Sequence, residues 1–339
     1  MQSVVRRYLS LAALSAVALM LCGAAAAQSY TVTALTSDLS GKANHTDTLL
    51  KNPWGLAYAP GGAFWVSDEA SGWSTLYDSS GIVQSLKVTI PSASGAGAGT
   101  PTGIVYNGSN EFQIRTWTSV FLFATLDGTI SGWSTFEPNT ALIGAKQAGA
   151  VYTGLAITSH PSGNFLYAAD NANNKVDVYD GRFSLVNSFT DPIVPAGYAP
   201  FGIQDINGQV YVTFASQTGG SNGLIDIFTE SGTLVKRLVH GAPLNQPWGL
   251  AMAPSNFGPL SGTLLVSNNT SAGTINGFDP NTGKLVGTIK SAAGKSIVIP
   301  GLWGIEFGGG SGLNGKTNQL FLTAGPKDLD GYFGVINVK

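Results

Sequence analysis

One short phrase recurs six times along this chain and limits what it can fold into. It reads Pro53-Trp54-Gly55-Leu56, Pro101-Thr102-Gly103-Ile104, Tyr152-Thr153-Gly154-Leu155, Pro200-Phe201-Gly202-Ile203, Pro247-Trp248-Gly249-Leu250 and Leu302-Trp303-Gly304-Ile305. The repeat glycines Gly55, Gly103, Gly154, Gly202, Gly249 and Gly304 stand 48, 51, 48, 47 and 55 residues apart. A period near fifty falls in the range of propeller blades. Each unit also reads as strands divided by turn chemistry. In the first, a strand from Gly55 to Ala59 turns at Pro60-Gly61-Gly62 into Phe64-Trp65-Val66-Ser67. A loop at Asp68–Gly72 leads to Ser74-Thr75-Leu76-Tyr77. Asp78-Ser79-Ser80-Gly81 then turns the chain into Ile82–Ile90. In the fourth unit Asn207-Gly208 is a strong two-residue hairpin signal. No window carries a 3.6-residue apolar period, and Gly and Pro interrupt every candidate helix. The expected architecture is an all-β, six-bladed β-propeller with four strands per blade.

The ends of the repeat give a second constraint. The sixth unit supplies a third strand at Phe333–Val338 and the sequence stops at Lys339, without a fourth. Tyr30-Thr31-Val32-Thr33-Ala34-Leu35 is a spare strand at the other end. Pairing it with the last blade would close the ring and remove an exposed edge. Within the first strand, alternation sets Trp54, Leu56 and Tyr58 opposite Gly55 and Ala57. The tryptophans are therefore expected to pack blade against blade.

Composition agrees with a β-rich domain. Only 11% of residues are charged, 10% are aromatic and there are 45 glycines, where a typical domain carries about 25% charge. Residues 1–27 read as a secretory signal peptide: Arg6-Arg7, an apolar run from Leu9 to Leu21, and Ala25-Ala26-Ala27 before Gln28. One domain, 28–339, follows, and export to the periplasm or beyond is expected. Cys22 is the one cysteine and leaves with that leader, so the mature chain has no thiol for a disulfide, catalysis or a metal. Without Arg6 and Arg7, 15 basic residues face 19 acidic ones, a net charge of −4 that gives no electrostatic case for nucleic acid. No segment of the mature chain is long and apolar enough to span a membrane.

Several phrases together resemble a family of secreted bacterial propellers of unassigned function, often found in species with PEP-CTERM sorting systems. They are Asn52-Pro53-Trp54-Gly55-Leu56, Phe64-Trp65-Val66-Ser67-Asp68, Ser74-Thr75-Leu76-Tyr77-Asp78, Asp127-Gly128-Thr129-Ile130-Ser131-Gly132-Trp133, Tyr152-Thr153-Gly154-Leu155-Ala156 and Thr323-Ala324-Gly325-Pro326. The likeness covers nearly the whole mature chain. It implies the fold and export, and no activity. More distantly, the units are similar to NHL-type and sugar-lactonase-type six-bladed propellers. The chain departs from the family in lacking a sorting tail and in the modest acidity around Asp127 and Asp328-Leu329-Asp330-Gly331.

Candidate site residues follow the second strands, where equivalent positions share one face of the disc. Asp68, Glu69, Asp127, Asp170, Asn171 and Asn268 form an oxygen-rich set suited to a ligand or to Ca²⁺, which takes six to eight oxygen ligands. The plainer reading is that such residues satisfy backbone groups at strand ends. Asp328 and Asp330, alternating before Gly331, resemble part of a calcium loop without its remaining ligands. His45, His160 and His240 show no zinc spacing, and no nucleophile elbow is present. Asp177, Asp226, Asn276 and Asn337 recur in third strands and are expected to serve a shared hydrogen bond. The leading expectation is binding of an extracellular ligand, glycan or protein at a loop-lined face. The alternatives are a Ca²⁺-dependent lactonase- or lyase-like enzyme at the channel mouth and a structural envelope or matrix module.

Overall fold

The computed structural model describes residues 28–160 and 163–339; the expected leader, residues 1–27 with Cys22, lies outside them. Six blade sheets follow the six phrases around a ring: five have four antiparallel strands, and the closing one adds a short parallel fifth, His45–Thr46, at its outer edge. Their innermost strands are Pro53–Tyr58, Pro101–Tyr106, Tyr152–His160, Tyr198–Ile206, Pro247–Met252 and Leu302–Phe307, in blades 1 to 6. Asn207 and Gly208 both adopt positive φ between Ile206 and Gln209, as a tight right-twisting hairpin requires. Blade 2 carries an extra two-stranded hairpin, Gln113–Ile114 with Trp117–Thr118, between its first two strands.

Blade 6 is built from both ends of the sequence. Tyr30–Ser37 pairs antiparallel with Tyr332–Val338, from Tyr30 opposite Val338 to Ser37 opposite Tyr332. The Tyr30 side chain extends the closure into blade 5: its hydroxyl donates to Phe257 O at 2.8 Å and accepts from Leu260 N at 3.0 Å.

Six apolar clusters fill the six blade interfaces. The Leu or Ile after each repeat glycine packs towards the preceding blade. Leu56 meets Phe321 and Phe333, Ile104 meets Trp65, and Leu155 meets Leu122 and Ile130. Ile203 meets Tyr167, Leu250 meets Ile225, and Ile305 meets Leu265.

The glycines hold the ring together by being small. None of the six has positive φ, so backbone conformation does not require them. A Cβ at Gly55 would lie 2.6 Å from Thr102 O, at Gly249 2.7 Å from Trp303 O, at Gly304 2.7 Å from Trp54 O and at Gly154 3.1 Å from Phe201 O. At Gly103 and Gly202 it would overlap Leu155 N and Trp248 O. Each glycine thus rests on the next blade's phrase, and the sixth rests on the first.

Hydroxyls tie the same contacts. Thr213 Oγ1 accepts from Gly202 N at 2.8 Å and donates to Pro247 O at 2.6 Å. Ser267 links Gly249 N to Trp303 O, and Thr323 links Gly304 N to Trp54 O, in the same manner. In blade 2, Thr102 Oγ1 donates to Tyr152 O at 2.7 Å.

Because the N-terminal strand supplies a quarter of the closing blade's antiparallel strands, deleting residues 28–36 is expected to lower the thermal midpoint of the whole domain. An unchanged unfolding curve for that truncation, measured by circular dichroism, would contradict the closure.

Candidate functional site

The two ends of the central channel differ. Every phrase sits at an irregularity in the pairing of its blade's first two strands, as between Pro53 and Leu56, Pro200 and Ile203, Pro247 and Leu250, and Leu302 and Ile305. Such a bulge re-aims a side chain. Here it takes the residue before each glycine out of the blade interface and towards the axis. The tryptophans therefore do not pack simply blade against blade. Trp54 and Trp303 stack at 3.6 Å, and Trp248 meets both nearly edge-on, at 6.1 and 5.8 Å. Phe201, from the blade opposite Trp54, lies 6.1 Å away. Blades 2 and 3 place Thr102 and Thr153 in the equivalent positions, which leaves room for the indoles. Trp248 Nε1 donates to Thr153 O at 2.9 Å, and Trp303 Nε1 donates to Asn52 Oδ1 at 3.0 Å. The result is an aromatic plug across the start of the first strands.

Beyond the plug the channel narrows to about 40 Å³ between Leu56, Ile104, Leu155, Ile203, Leu250 and Ile305. It then opens at the far ends of the first strands into a cavity of about 430 Å³. Tyr58, Tyr106, Ile157, Gln204, Asp205 and Glu306 line this mouth. One step beyond the apolar ring the six blades carry Ala57, Val105, Ala156, Gln204, Ala251 and Glu306. Four are small and apolar; blades 4 and 6 alone are polar. Burial pushes the Glu306 carboxyl up to about 7, against a smaller opposing pull from the Phe307 backbone. Burial also raises Asp205, opposed by a backbone bond from Gly208 and aided by Glu230. Asp205 Oδ1 has no hydrogen-bond partner among the described residues. Burial, then the Glu306 charge, raises the Tyr58 phenol to about 12, so it stays a neutral donor.

The residues expected from the sequence lie at the plugged end instead. Asp68 is fully buried, and its Oδ2 accepts from Thr75 N at 3.1 Å and Thr75 Oγ1 at 2.7 Å. Glu69 accepts from Asn52 Nδ2 at 2.8 Å, behind the Trp303 indole. Asp127 accepts from Ala93 N at 2.6 Å. Asp170 accepts from Val151 N at 3.1 Å, and Asn171 Nδ2 donates to Pro200 O at 2.8 Å. Asn268 bridges Asn245 N and Pro243 O. Asp328 sits at the end of a short 3₁₀ turn at Pro326–Asp328, and the backbone carbonyl of Asp330 accepts from Asn52 N. Among the described residues no three His, Cys, Asp or Glu side chains converge to hold a metal ion. His45 lies in a short strand beside the N-terminal strand and His240 is exposed at the end of a blade 4 strand; neither lines the mouth.

The third-strand residues behave as a set only in part. Asp177, Asp226 and Asn276 each accept from a fourth-strand partner, Ser188, Arg237 and Thr288 respectively. Asn337 instead accepts from Gln319.

A six-bladed β-propeller, plugged by aromatics at one end of its channel and open at the other, is the class these features define. No protein-family model matches the chain. It belongs to the same family as an uncharacterized protein of Acanthamoeba polyphaga mimivirus, 31% identical over 340 residues spanning 92% of this chain and 81% of the relative. A second uncharacterized protein of that virus is 30% identical over 305 residues, spanning 83% of this chain and 79% of the relative. The fold is also that of virginiamycin B lyase from Staphylococcus aureus, solved as a catalytically inactive variant with quinupristin. The TM-score is 0.55 at 14% identity, covering 91% of this chain and 99% of the lyase. A gluconolactonase from Xanthomonas campestris matches with TM-score 0.54 at 16% identity, over 86% of this chain and 89% of the enzyme. At these identities the likeness is one of fold.

A carboxyl whose folded pKa lies above its unfolded value withdraws stability as pH rises from its ordinary range towards the folded value. Glu306 does so between about 4.5 and about 7. Glu306→Gln is therefore expected to match the parent's thermal midpoint near pH 4 and to exceed it increasingly towards pH 8. A difference that does not grow with pH would contradict the burial of this carboxyl.

Proposed function

We propose that the protein is an exported binding propeller whose ligand site is the open mouth of its channel. The observation that carries this reading is the break in repeat symmetry at the mouth. Gln204 and Glu306 stand over an apolar floor where the other blades carry Ala or Val, and Asp205 follows at a position where they carry Tyr58, Tyr106, Ile157, Met252 and Phe307. Packing within a repeat favours similar residues at equivalent positions, whereas a single site needs different ones. A concave cavity in which a few convergent polar groups face apolar side chains suits a small molecule. The leader read at residues 1–27 supports a place outside the cytoplasm. Among the described residues no helix is long and apolar enough to cross a membrane.

Glu306 also favours a second reading, a lactonase- or lyase-like activity. A carboxyl near neutrality suits acid–base work because it both takes and gives a proton at physiological pH.

One experiment addresses both readings. Residues 28–339 and the double variant Tyr58→Ala/Glu306→Gln are screened by ligand-observed NMR against cationic, neutral and anionic fragments, with glucono-δ-lactone in the panel. Fragments that bind the parent and not the variant are expected. Hits equally strong on both would place the site elsewhere. Faster loss of the lactone with the parent than with Glu306→Gln would favour catalysis.

A further inference from the structure

The mouth holds two carboxyl groups and, among the described residues, no cation to answer them. Glu306 enters from blade 6, and Gln204 and Asp205 enter from blade 4. Tyr58 and Tyr106 face them from blades 1 and 2. Among the described residues no Lys, Arg or His lines the cavity, and neither Glu306 nor Asp205 forms an ion pair. Three other buried carboxylates of the chain are answered by cations, while Asp68 at the plugged end leaves its Oδ1 unpartnered in the closed interior, away from any opening. Asp226 and Asp191 share Arg237, and Asp177 meets Lys175 at 2.7 Å. A buried charge without a partner is costly, and proteins ordinarily pair it or neutralise it. The mouth supplies no charge partner from its own residues, so burial drives Glu306 towards its neutral form, and the orphan Asp205 Oδ1 lacks even a neutral donor.

Resting on the mouth as the ligand site, we propose that its ligand is an organic cation, a protonated amine carried on an apolar body. The ammonium would donate to Glu306 and Asp205. Tyr58 and Tyr106 would offer ring faces to the cation. Leu56, Ile104, Val105 and Ile157, which line the cavity, would receive the hydrocarbon part. A metal ion fits less well, because it needs more oxygen ligands than two carboxyls offer and contacts no apolar wall.

The sign of the pH dependence separates this ligand from others. A cation binds the deprotonated carboxylate, so binding strengthens as pH rises through the Glu306 transition near 7. A neutral or anionic ligand that accepts a hydrogen bond from protonated Glu306 would weaken over the same range. The facing groups are Tyr58, Tyr106 and Asp205, with Glu230 behind Asp205. Tyr58 stays neutral there, and none of these groups adds a positive charge.

The test is calorimetric titration of residues 28–339 with benzylammonium, benzyl alcohol and benzoate, which share one ring and differ in charge. Benzylammonium stays protonated between pH 6 and pH 8. Its affinity is expected to rise about tenfold across that interval, since a carboxyl near 7 goes from about one-tenth to about nine-tenths ionised. Glu306→Gln should abolish the rise, and Asp205→Asn should weaken binding at both pH values. Benzyl alcohol and benzoate should bind at least about tenfold more weakly at pH 8. Tighter binding of either, lost in Tyr58→Ala, would overturn the cation and leave the mouth standing. Failure of all three to bind would overturn both the cation and the mouth. Circular dichroism of each variant checks that the fold is intact.

Discussion

Six glycines in contact with the next blade's backbone set the geometry on which the rest depends. Where Gly55 meets Thr102 O, or Gly249 meets Trp303 O, no Cβ fits. The first strands can therefore approach until each blade's phrase rests on the next. That approach closes the ring tightly enough for Ser267, Thr213 and Thr323 each to bond two blades at once. It also narrows the channel until four aromatic side chains from blades 1, 4, 5 and 6 seal one end.

The plug then decides where chemistry can occur. With Trp54, Phe201, Trp248 and Trp303 filling the axis, the remaining space opens at the Tyr58 end. The carboxyls at the two ends have different surroundings. Asp68 Oδ2, Asp170 and the amide of Asn268 hold backbone and side-chain partners in neighbouring strands and loops, and the unpartnered Asp68 Oδ1 is sealed in the interior. Glu306 and Asp205 stand at a cavity with few partners of their own. A buried polar group without a partner inside the fold is the kind most readily satisfied by something from outside.

The sequence made the ring legible because the ring is a repeat. Spacing of the glycines located six blades, and the spare strand at Tyr30 matched the incomplete sixth unit. Strand alternation misplaced the tryptophans, since it assumes regular pairing and each phrase sits at a bulge. The mouth was harder to see. Attention to residues that recur between blades, such as Asp68, Asp170 and Asn268 at the ends of second strands, favours those with a shared structural role. Glu306 occurs once, immediately after Leu302-Trp303-Gly304-Ile305, where the other blades carry Ala57, Val105, Ala156, Gln204 and Ala251. Aligning the six phrases one residue further would have exposed Gln204 and Glu306 as departures. Asp205 Oδ1 and the partners missing around it depend on three-dimensional packing, which no spacing in the sequence encodes.

The glycine ring can be tested most directly by the thermal midpoints of Gly202→Ala and Gly312→Ala. A Cβ at position 202 overlaps Trp248 O, whereas one at position 312 meets nothing within 4 Å. Neither position has positive φ, so backbone strain does not separate them. Gly202→Ala is expected to destabilise by about 1–3 kcal/mol, the range of overpacking in a tight core, and Gly312→Ala to leave the midpoint near that of the parent. Equal midpoints for the two variants would contradict the claim that close approach at the repeat glycines holds the ring together.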